Sequence, residues 1–95
     1  MQDGDQGFEM APRRSPSAPD ALYCFLNAAR GRPVIIDVGR VEVVDAPRMQ
    51  ILLCAEREWR SAGVKFRLSN CTEIFRRGAS MLGVDMEIFE QEPGA

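Results

Sequence analysis

PVIIDVGRVEVVDAPRMQILLCAEREWRSAG, residues Pro33 to Gly63, is the stretch whose reading decides the fold. Val34, Ile35, Ile36 and Val38 form an almost continuous apolar run, the pattern of a strand covered on both faces by flanking helices. Val41, Val43 and Val44 extend it toward a helix predicted from about Ala46 to Ala62. Asp45 supplies an N-cap, Pro47 is tolerated in the first turn because that amide would go unbonded anyway, and Gly63 provides a left-handed stop. At about 100° per residue, Ile51, Leu52, Ala55, Trp59 and Ala62 fall on one side of this helix, with Gln50, Arg57 and Ser61 opposite. Met49 and Leu53 lie on the flank beside Glu56 and Arg60. That flank reads either as a slightly wide core stripe or as a partly exposed apolar patch open to a partner. The unbonded amides at a helix start that follows a strand make a ready anion site, so the Asp45–Ala46 junction is the place to look for function.

Upstream, residues 1–19 read as a mobile leader in which Phe8 to Met10 could supply a short edge strand, since few other apolar groups are present to offset the entropy of ordering. A helix is predicted from about Pro19 to Arg30, with Leu22, Phe25, Leu26 and Ala29 on one face, Ser17 and Asp20 at capping-box spacing and Gly31 as its stop. Downstream, Val64, Phe66 and Leu68 alternate with Lys65, Arg67 and Ser69, a strand with one inward face. A third helix runs from about Glu73 to Leu82, capped by Thr72, buried through Phe75, Ala79 and Leu82 and ended by Gly83. Gly78 inside it costs ~1 kcal/mol relative to alanine, which points to a close approach by a neighbouring element. Met86, Ile88 and Phe89 form a last short strand or a packed tail, and residues 91–95 a flexible end. The alternation of helix and strand implies one α/β domain over residues 20–90, a small, partly parallel sheet with helices packed against it.

A chain of 95 residues with 45% hydrophobic content makes one small domain with little spare stability. Its net charge of −2 offers no general attraction for polyphosphate, which disfavours nucleic-acid binding. Three cysteines, Cys24, Cys54 and Cys71, with no close pair and no histidine, exclude the common Cys/His zinc patterns and argue against a disulfide scaffold. They read as small core residues in a reducing, cytoplasmic compartment. No apolar run reaches the ~20 residues that cross a bilayer. General acid–base or nucleophilic catalysis needs a convergent, activated set of groups, and none is legible, so no catalytic residue, metal or cofactor is expected. The Arg76–Arg77 pair reads as a solvated helix face.

Taken in order, VIIDVGRVEVVDA, QILLCAEREW, AGVKFRLSN and FRRGASMLG resemble the STAS family, the small domains of anti-sigma-factor antagonists and sulphate transporters. The likeness covers roughly Ala21 to Phe89 and lies in the combination and spacing of the pieces. The variant Asp45-Ala46-Pro47 with Gln50 and Trp59 is similar to STAS proteins found beside bacterial chemotaxis components. The resemblance implies a STAS-like fold and a regulatory binding module. At the family's phosphoacceptor position this chain carries Ala46, which has no hydroxyl to modify. It also implies a protein partner, either an ATPase-type kinase/anti-sigma factor or a chemotaxis component, docking on Asp45, Ala46, Pro47, Met49, Gln50 and Leu53. The family's lipid-transport branch implies an alternative role as an accessory subunit of a membrane ABC complex. Asp45 also has a plain structural explanation as the helix N-cap, and Asp37 one as a strand-end residue that caps a turn.

Overall fold

In a computed structural model, which describes residues 6–16 and 20–90, three strands alternate with three helices: β1 (Gln6–Glu9), α1 (Ala21–Ala28), β2 (Val34–Asp37), α2 (Ala46–Ser61), β3 (Phe66–Ser69) and α3 (Glu73–Met81). A short 3-10 helix, Met86–Glu90, follows. The strands form one sheet in the order β1-β2-β3, and both pairs are parallel, with Val34 opposite Gln6 and Phe66. The fold is thus α/β, with a sheet that is parallel throughout the described residues. The segment expected as a leader contributes β1, one residue pair of which joins Phe8 to Ile36. The expected tail at 91–95 lies outside the described residues.

Strand periodicity decides where the core sits. Residues in register across a parallel sheet point the same way, so Val34, Ile36, Phe66, Leu68 and Phe8 share one face. Phe8 stacks on Phe25 of α1 with ring centroids 5.0 Å apart, and Trp59 of α2 meets Phe66 edge-on at 6.1 Å, which places α1 and α2 over that face. On the opposite face Gly7, Glu9 and Arg67 are exposed, and Ile35, Asp37 and Ser69 are half-buried. The expectation of a strand covered on both faces is corrected here. The unbroken apolar run arises because Ile35 sits on a central strand between two neighbours, not because a second helical layer covers it.

Local chemistry sets each helix. Asp20 itself caps α1, its Oδ1 accepting from the Leu22 amide at 2.8 Å, in place of the capping box expected with Ser17, which lies outside the described residues. Helix α2 begins at Ala46 under the Asp45 cap and ends before Gly63, whose φ of +73° is readily reached only without a side chain. The stripe Leu22, Leu26 and Ala29 is buried, as are Leu52, Ala55 and Trp59. Thr72 caps α3 through its hydroxyl to the Phe75 amide. Phe75 and Ala79 are buried, whereas Leu82, expected in the core, is 42% exposed because it stands at the helix end, where the chain turns away at Gly83. Met86 to Phe89 pack as a 3-10 helix, with Phe89 buried beside Phe66. No helix among the described residues is long and apolar enough to cross a membrane.

Candidate functional site

Parallel βα units bring strand ends and helix starts to one edge, where binding sites of α/β proteins gather. At this edge Asp37 ends β2. Its Oδ1 accepts from the Gly39 amide at 2.8 Å, and the Asn70 side chain, held by a left-handed backbone with φ of 57°, bonds it from the end of β3. These two hydrogen bonds, led by the Gly39 amide, hold the Asp37 carboxyl below its ordinary range. A side chain at residue 39 would stand 3.0 Å from Asn70 Cβ and 3.1 Å from Asp37 Oδ1, which explains the glycine there. Asp37 therefore caps a turn, as its position predicts.

The following loop leads into α2 and is fastened by Arg48, a residue the sequence reading passed over. Arg48 is 4% exposed. Its Nε donates to Asp45 Oδ1 at 2.7 Å, Nη1 to the Ala11 carbonyl at 2.8 Å and Nη2 to the Val43 carbonyl at 3.0 Å. The planar fork serves the three acceptors from three separate nitrogens, whereas a lysine carries all its donors on one. Pro12 adds its carbonyl to the amides of Glu42 and Val43, so the segment after β1 is tied to the loop after β2. The signal in the sequence was the Asp-x-x-Arg spacing at a helix start, which sets Arg48 one turn from the cap.

The anion site expected at this helix start is filled from within. Asp45 Oδ2 takes the Arg48 amide at 2.9 Å, Pro47 has no amide to offer, and the Met49 amide bonds the Asp45 carbonyl. Only the Ala46 amide remains as a donor of the first turn, beside the carboxylate of Asp45.

Ala46, Pro47 and Gln50 are exposed, and Leu53 is half-buried. Met49 is 3% exposed, so of the two flank readings it belongs to the core stripe, and its docking role as a surface group is corrected. Gln50 and Cys54 stand as a ridge between two grooves. One, of about 370 Å³, runs between α1 and α2 and is walled by Tyr23, Ile51 and Pro47. The other, of about 440 Å³, reaches Leu53, Arg57 and Ile88. Tyr23, 51% exposed, had no place in the sequence reading of the site, since a single aromatic off the stripe carries no periodic signal. Cys24 and Cys54 are exposed, which corrects their expected burial; burial raises the pKa of Cys71, the half-buried third. No group of three or more metal-ligating side chains occurs among the described residues. Comparisons of this chain with protein-family models, with curated proteins and with solved structures each return no match.

Proposed function

We propose that this protein is a non-enzymatic, STAS-type regulatory module of the cytoplasm that docks a protein partner on the α2 ridge. The partner class is a signalling protein, an ATPase-type kinase/anti-sigma factor or a chemotaxis component. One observation carries the reading: a rigid helix start fixed by Arg48 presents Ala46, Pro47 and Gln50 to solvent between two grooves. A preorganised surface loses little entropy when a partner orders against it. The resemblance of VIIDVGRVEVVDA to the STAS pattern supports the same place. Ala46 stands where that family carries its phosphoacceptor, so a kinase partner binds this junction without modifying it.

The test is Ala46→Asp. The helix dipole favours a charge in the first turn, so folding survives, while a partner that covers Ala46 loses ~1–3 kcal/mol on desolvating the new carboxylate. Tagged wild-type and variant proteins are compared for fold by circular dichroism and for partner recovery from native cells, with the retained protein identified by mass spectrometry. A signalling ATPase or chemotaxis protein held by wild type and lost by the variant is expected. Equal recovery, or phosphate found on Ser69 or Thr72, refutes the reading.

A further inference from the structure

The groove of about 440 Å³ between the α2 ridge and the 3-10 helix has a charge of its own. Leu53, Arg57 and Arg60 follow one another at spacings of four and three, so they share one stripe of α2, and the 3-10 helix adds Ile88. Glu56 lines the same groove but is 5% exposed. Arg60 Nε donates to its Oε2 at 2.9 Å, while the Arg60 side chain stays 46% exposed. Desolvating a carboxylate offsets most of what such a pair gains, so folding stability gives little reason for an acid there. What the pair does provide is a guanidinium held by its Nε at the groove wall, with Nη1 and Nη2 unbonded among the described residues. Arg57 is exposed and has no ion-pair partner among the described residues.

We infer that this groove takes an acidic segment of the protein partner, with a carboxylate on Arg57 and Arg60 and a neighbouring apolar side chain on Leu53 and Ile88. The inference rests on the α2-ridge reading for the existence of a protein partner and names the chemistry of what that partner brings. Charge complementarity decides the occupant. Two guanidiniums against the one carboxylate of Glu56 leave this lining positive, on a chain whose net charge is −2. Neither Glu87 nor Glu90 of the 3-10 helix lines the groove to cancel that excess. In the groove between α1 and α2, by contrast, Arg30 and Glu58 already pair with each other, which leaves no preference for either sign. A neutral or basic segment would displace water from Arg57 and Arg60 without replacing its hydrogen bonds, whereas a carboxylate accepts from guanidinium groups in the strongest geometry available to it. The half-buried Leu53 and Ile88 offer the apolar contact beside it.

The test is a titration of the 15N-labelled full chain with a short amphipathic peptide that carries glutamates beside a leucine stripe, and with its twin in which glutamine replaces every glutamate. The acidic peptide is expected to shift Leu53, Arg57, Arg60 and Ile88, with affinity falling at least fivefold from ~50 to ~500 mM salt as screening grows. The glutamine twin should bind at least tenfold more weakly. Arg57→Glu, at a side chain already in water with no ion pair to break, should keep the circular dichroism spectrum and weaken the acidic peptide at least tenfold. Ala46→Asp, about 16 Å away along the helix axis, should leave peptide binding unchanged. The absence of any shift, equal binding of the two peptides, indifference to Arg57→Glu, or the same shifts from inorganic phosphate alone overturns the inference. Partner recovery from native cells that is lost in Ala46→Asp but kept in Arg57→Glu also overturns it and leaves the ridge standing. Equal recovery by Ala46→Asp, with loss in Arg57→Glu, refutes the helix start and upholds the groove.

Discussion

Replacing Arg48 by alanine tests whether the α2 start is held by one buried guanidinium. The side chain is 4% exposed and serves Asp45, Ala11 and Val43 at 2.7–3.0 Å. Truncation removes a buried ion pair from one side only and strips the partner from two carbonyls. One-sided loss of a buried pair costs ~3–5 kcal/mol, and each unsatisfied carbonyl accounts for ~1–3 kcal/mol within that loss when water cannot reach it. Asp45 is 18% exposed and keeps the Arg48 amide, so its own share is partly relieved by solvent. The net expectation is ~3–4 kcal/mol out of the ~5–15 available to a small domain. Arg48→Lys should recover a minor part, because an ammonium's donors radiate from one nitrogen, while the three acceptors are spaced to meet three separate guanidinium nitrogens. Urea denaturation followed by far-ultraviolet circular dichroism gives the loss, and hydrogen exchange should show the Glu42 and Val43 amides, which bond Pro12, losing protection first. A loss below ~1 kcal/mol for Arg48→Ala would refute the reasoning, since that is the scale of a surface pair.

Trp59→Ala should cost ~3–5 kcal/mol, because the ring is 3% exposed, packs on Phe66 and donates Nε1 to the Arg32 carbonyl at 2.7 Å; an unchanged denaturation midpoint would contradict its burial. Gly78→Ala gains ~1 kcal/mol of helix propensity but drives a methyl into Val44, an overpacking of ~1–3 kcal/mol, so the melting temperature should fall; Val44→Ala in addition should not restore it, because the Val44 Cβ that remains stands 2.5 Å from the new methyl. The lowered Asp37 pKa makes its stabilisation full above the unfolded value near 3.8 and lost as pH falls through the lower folded value. Asp37→Asn should therefore narrow its stability gap to wild type as pH drops from ~5 to ~2, and a constant gap across that range would contradict the assignment.

The sequence by itself determined the α/β class, the three helices, two of the strands and the caps at Asp45 and Thr72. Those features rest on local periodicity and on bonds between residues two to four apart, so every partner lies within the same short segment. It also marked Gly78 as a close approach without saying what approaches. Tertiary structure alone identified Val44 as that neighbour, left one sheet face open, turned Leu82 outward and buried Met49. It alone made Arg48 the hub between Ala11, Val43 and Asp45, and set Tyr23 across a groove from Pro47 and Ile51. Most of these depend on segments tens of residues apart meeting in space, as Arg48 meets Ala11 and Gly78 meets Val44. A periodic pattern gives the direction in which a side chain leaves its own element, and only the packing of the other elements decides whether it meets protein or water there.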